Sequence, residues 1–62
     1  MLYKVVLIFP DLEKLADFIG NLEVSGETNN LETAFVGNLT EHLIMTAVKD
    51  YNAYVRVMRE LE

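Results

Sequence analysis

The run Leu2–Phe9 (LYKVVLIF), broken at once by Pro10 and Asp11, constrains this chain more than any other feature in it. Its residues are β-branched, aromatic or aliphatic with a single charge, Lys4, which is the profile of a central strand. Pro10 ends such a strand, and the Asp11 carboxylate can cap a helix that follows. A strand this apolar needs cover on at least one face, so the remaining chain has to supply helices and neighbouring strands.

The next segment meets the first need. In Asp11–Leu22 the apolar residues Leu12, Leu15, Ile19 and Leu22 recur at steps of three and four, with Ala16 and Phe18 flanking that stripe. Glu13, Lys14 and Asp17 take the far side, and Gly20-Asn21 offers residues that tolerate a left-handed helix end. Glu23–Glu27 (EVSGE) then alternates weakly, as a charged edge strand does. Thr28-Asn29-Asn30 is turn chemistry, and Leu31–Gly37 (LETAFVG) reads as a returning strand, so the two segments form a hairpin.

Thr40–Glu62 admits two readings. Thr40 is a good cap, and Leu43, Ile44, Ala47, Val48 and Tyr51 make an apolar helical face that can be extended through Tyr54, Val55 and Met58. One long helix is therefore an alternative. Asn52 falls where a left-handed helix end belongs, however, and Tyr54-Val55-Arg56-Val57 is rich in β-formers and nearly alternating. The reading adopted is a helix at Thr40–Tyr51 followed by a last strand at Ala53–Arg59.

The resulting order is strand, helix, strand, strand, helix, strand. It predicts an α+β ferredoxin-like βαββαβ domain over residues 1–62, a four-stranded antiparallel sheet with two helices on one face. Three segments, Val6-Leu7-Ile8-Phe9-Pro10, Thr40-Glu41 and Tyr51-Asn52-Ala53, give the layout a resemblance to short stand-alone bacterial ferredoxin-like domains of unassigned function. The resemblance spans nearly the whole chain. It implies a fold and no activity.

Length and charge narrow the function classes. A chain of 62 residues makes one small domain, and such a domain removes only about 60% of its extended surface from water on folding. With no cysteine it has neither disulfides nor a thiolate metal site to make up the difference, so association with a second copy is a natural resort. The net charge of −5 is local: Asp11, Glu13, Asp17, Glu23, Glu27 and Glu32 face only Lys14 across Asp11–Glu32, and the other charges cancel. So acidic a protein repels nucleic-acid phosphates and anionic membrane surface, and neither is expected as a partner. Val5–Phe9 is too short for a signal-peptide core, and no apolar stretch approaches the ~20 residues of a membrane span, which predicts a cytoplasmic protein.

Strand alternation then identifies the surface left bare. One charge phases each strand. Lys4 outward brings Val6 and Ile8 outward and leaves Tyr3, Val5, Leu7 and Phe9 beneath the helices. Glu32 outward brings Ala34 and Val36 with it and puts Leu31, Thr33 and Phe35 inside. Arg56 outward brings Tyr54 and Met58 with it and puts Val55 and Val57 inside. The uncovered face is thus Val6, Ile8, Ala34, Val36, Tyr54 and Met58, bordered by Lys4, Glu32 and Arg56. A solvated antiparallel sheet should be polar there. An apolar cluster of this size marks an interaction surface, and the expected partner is a second copy, as a homodimer about a two-fold axis.

Chemistry has fewer candidates. His42, the sole histidine, lies in the first turn of the second helix away from its apolar stripe, and Ser25, the sole serine, is distant in sequence. No catalytic set emerges, and a non-enzymatic protein is expected. Glu23, Glu27 and Glu32 flank the Asn-rich turn without the ligand spacing of a calcium loop, and a solvated acidic hairpin accounts for them. No metal or cofactor is predicted. Asn38-Leu39-Thr40 matches a glycosylation acceptor but reads as a loop entering a capped helix. Ala34-Phe35-Val36 matches a fragment of the RNA-recognition signature, yet the Lys/Arg-Gly opening is absent and the phasing puts Phe35 under the helices. The alternative to a self-pairing module is a regulatory domain for a small metabolite, with the sheet face or a dimer seam as its pocket and its ligand unidentified.

Overall fold

The computed structural model describes residues 1–61. Leu2–Ile8 forms β1, which Pro10 ends, and Leu12–Leu22 forms α1. The Asp11 carboxylate accepts a hydrogen bond from the Lys14 backbone N–H at 2.8 Å, satisfying one of the free amides of the first helical turn. Gly20 and Asn21 do not end this helix, contrary to expectation. The left-handed residue is Glu23, with φ of 53°. Phe18 moves the helix's inner face as well: it lies at the centre of the core, while Leu12, expected on the buried stripe, is 50% exposed. Burying an aromatic ring removes more apolar surface than burying one leucine, and a helix can turn only one face inward. The Phe18 ring packs against Phe9 at 5.2 Å, Tyr51 at 5.6 Å and Phe35 at 5.9 Å between centroids.

The hairpin forms three residues later than its composition suggests. β2 is Gly26–Asn29 and β3 is Ala34–Thr40, so Thr28 and Asn29 are in a strand and Leu31, Glu32 and Thr33 are in the turn. Two contacts set that register. Gly26 stands opposite Gly37, and the Phe35 ring lies over this pair so closely that a Cβ on Gly26 would come within 2.7 Å of it and one on Gly37 within 2.8 Å. At the turn, the Asn29 side-chain oxygen accepts from the Leu31 and Glu32 amides at 3.0 and 3.3 Å. Thr33, at φ of 50°, is tied to the end of β1: Phe9 N–H donates to its carbonyl at 2.8 Å, and its hydroxyl donates to the Phe9 carbonyl.

Thr40 caps α2, Glu41–Tyr51, with its hydroxyl accepting from the Leu43 amide at 3.3 Å. Asn52 ends the helix in the left-handed region with φ of 58°, and the Ala47 carbonyl accepts from the amides of Asn52 and Ala53. β4, Tyr54–Glu60, follows, so the long-helix alternative does not occur.

The strands pair antiparallel throughout in the order β2-β3-β1-β4, which is the ferredoxin-like arrangement. Both helices contribute to one core, with Val5 and Leu7 from β1, Phe9 just beyond it, and Phe35 and Leu39 from β3 beneath Leu15, Phe18, Ile44 and Ala47. The other side of the sheet carries no helix.

Candidate interaction surface

The pairing registers define the bare face residue by residue, because directly opposed residues share a face. One row across the sheet is Asn29, Ala34, Ile8 and Tyr54; the next is Glu27, Val36, Val6 and Val57. A third, polar row begins at Asn38 and continues through Lys4 to Arg59. Six apolar side chains from three strands therefore lie contiguously in the first two rows. Tyr54 is 67% and Val57 44% exposed; Val6, Ile8 and Val36 are half-buried. Ala34 is only 3% exposed, a small side chain sunk between larger neighbours.

Most of the expected surface residues come together here: Val6, Ile8, Ala34, Val36 and Tyr54 in the apolar rows, Lys4 beside them. Met58 does not. β4 carries a bulge, with Val57 opposite Val6 but Val55 opposite Leu7, so Arg56 has no partner residue of its own. The extra residue reverses the alternation beyond it. Met58 stands opposite the buried Val5 on the helix side, and Val57, expected inside, takes its place on the open face. Two arginines three residues apart, Arg56 and Arg59, carried a signal for this: strict alternation would turn one of them toward the core. Glu32 is also displaced, from a strand into the turn before β3. It nevertheless meets Arg56 at 3.8 Å, with β1 between their two segments and both side chains about 60% exposed. A pair so exposed contributes ~0–1 kcal/mol and orients side chains more than it stabilises.

The residues missed in the sequence are Val57, Glu27 and Arg59. Glu27 lies at the β2 edge of the apolar rows and Arg59 at the β4 edge. The charges on this face are consequently sorted: Glu27 and Glu32 on the β2–β3 half, Lys4, Arg56 and Arg59 on the β1–β4 half.

The chemical candidates do not assemble. His42 is exposed in the first turn of α2 and Ser25 is exposed before β2, with no hydrogen bond between them among the described residues. No group of three or more His, Cys, Asp or Glu among the described residues could hold a metal ion. Phe35 is fully buried and has no ring face to offer a nucleobase. Asn38, Leu39 and Thr40 close β3 rather than forming a loop, with Leu39 in the core. No helix among the described residues is long and apolar enough to cross a membrane. A second feature is an open groove of about 480 Å³ between α1 and β2, lined by Leu12, Ala16, Ile19, Thr28 and Asn30. Comparison with protein-family models, with curated proteins and with solved structures finds no match to this chain.

Proposed function

We propose that the chain is a non-enzymatic cytoplasmic assembly module that pairs with a second copy through the open face of its sheet. The observation that carries this reading is the unbroken block of Val6, Ile8, Ala34, Val36, Tyr54 and Val57 on a face no helix covers. An antiparallel sheet facing water is polar on its wet side, and contiguous apolar surface on so small a domain is what interaction sites look like. Four strands at ~4.8 Å and about six residues at ~3.4 Å give a face of roughly 19 by 20 Å. Pairing two such faces removes on the order of 1,000 Å² in total, the low end for specific complexes, so affinity in the micromolar range is expected.

Light scattering across a concentration series tests the reading. A mass rising from one chain to two by about 50 μM supports it. Val36→Lys should hold the mass at one chain, whereas Met45→Lys, on the exposed side of α2, should leave pairing intact. A wild-type chain that stays monomeric throughout refutes it.

The groove beside α1 favours the second reading, a small-metabolite regulatory domain, because its volume lies within the ~300–1,000 Å³ of small-ligand sites. A rise in melting temperature with an amino acid, nucleotide or similar metabolite would support that reading, and its abolition by Ile19→Lys would place the ligand in the groove.

A further inference from the structure

We infer that the two copies pair about a two-fold axis running along the strands between β1 and β3, so that β4 of one chain lies over β2 of the other and Glu27 lies over the partner's Val57, flanked by the partner's Arg56 and the partner's Arg59. This rests on the face pairing proposed above and specifies its geometry. Two facing sheets pack ~10 Å apart with their strands roughly aligned, so a two-fold axis between them runs either along the strands or across them. The two choices stack this face on itself differently.

An axis along the strands keeps each row over the same row. Apolar row then covers apolar row, with Ile8 over the partner's Ala34 and Val6 over the partner's Val36. The bulky Ile8 comes to the position where Ala34 leaves the face low. The same rotation exchanges the sheet's edges. Glu27, on the β2 edge, arrives beside the β4 stretch that holds Arg56 and Arg59, and the acidic half of each face covers the basic half of the other. Among the described residues neither Glu27 nor Arg59 makes an ion pair within its own chain.

An axis across the strands reverses the rows. With that axis through the Val6–Val36 row, Ile8 would cover the partner's Lys4 and Ala34 the partner's Asn38; with the axis between the two apolar rows, Ile8 would cover the partner's Val6 and Ala34 the partner's Val36. In either position each strand lies over its own copy, so the acidic half of the face covers the acidic half and the basic half the basic half, which costs repulsion.

Charge variants of the full chain separate the two axes by the sign of their effect, read as dimer dissociation constants from sedimentation. Because each contact occurs twice about a two-fold axis, Glu27→Lys should weaken pairing at least ~10-fold, and adding Arg59→Glu in the same chain should restore it to within ~3-fold. Glu27→Gln supplies a milder arm. Loss of an attraction should weaken the dimer, whereas loss of a repulsion between the two acidic halves should tighten it. Circular dichroism confirms that each variant is folded. A wild-type dimer that Glu27→Gln tightens, or that Glu27→Lys with Arg59→Glu fails to rescue, overturns the axis while leaving the pairing reading intact. A wild-type chain that never dimerises overturns both.

Discussion

Gly26→Ala adds one methyl group, and the structure sets the sign of its effect. None of the described glycines has a positive φ, so alanine meets no backbone penalty at this position. In open space the change should stabilise a strand by ~0.5–1 kcal/mol, because alanine loses less conformational freedom on folding. Space is lacking. The new Cβ would stand 2.6 Å from the Val36 carbonyl oxygen and 2.7 Å from two atoms of the Phe35 ring, well inside van der Waals contact. The ring cannot swing away, since Phe35 is fully buried against Phe18. The carbonyl belongs to the neighbouring strand, so β2 must move off β3. Overpacking of this kind costs ~1–3 kcal/mol, which exceeds the entropic gain and leaves a net loss of about 1–2 kcal/mol. For a domain of this size that lowers Tm by roughly 5–15 °C. Gly20→Ala is the matching control: it lies inside α1 with nothing within 4 Å of its would-be Cβ, and should raise stability by ~0.5–1 kcal/mol. Thermal unfolding followed by circular dichroism measures both. In a Phe35→Leu background the Gly26→Ala penalty should shrink by at least ~0.5 kcal/mol, because the ring atoms it meets are gone. Equal, stabilising shifts at Gly20 and Gly26 would refute the packing that sets the hairpin register.

Glu23→Gly should stabilise the domain by about 0.5–1 kcal/mol in urea unfolding, since glycine relieves a left-handed residue at the end of α1 but frees the unfolded chain. No gain would mean that the Glu23 backbone is not left-handed. Phe18→Ala should cost ~3–5 kcal/mol, enough to unfold a domain of 62 residues or leave it without near-UV dichroism. A variant with a sharp, native-like transition would contradict its place at the centre of the core.

What could be read ahead of the structure was whatever depends on a few consecutive residues. Pro10 and Asp11 mark the end of β1 and the start of α1, Thr40 starts α2, and Asn52 stops it and so decides between one long helix and a helix plus a strand. Alternation from Lys4 places Val6 and Ile8 correctly, because β1 is regular over its whole length. The same alternation fails in β4, where one unpaired residue at Arg56 exchanges the faces of Val57 and Met58. It fails again for Leu31, which is 98% exposed in the turn instead of lying beneath the helices.

Caps, breakers and hydrophobic period act between neighbours in the chain, so the local sequence alone dictated the six elements, their order and the greasy character of the uncovered face. Where the hairpin turns, which side chain leads α1 inward and which residues border the bare face were decided by contacts between distant segments. Phe35 lies over the Gly26–Gly37 pair, Thr33 closes on Phe9, and β4 slips by one residue against β1. Those energies exist only once the strands are side by side. The sorting of Glu27 from Arg59 on the open face is of the same kind, since it depends on the register of β2 against β3 and on the bulge that shifts β4 against β1.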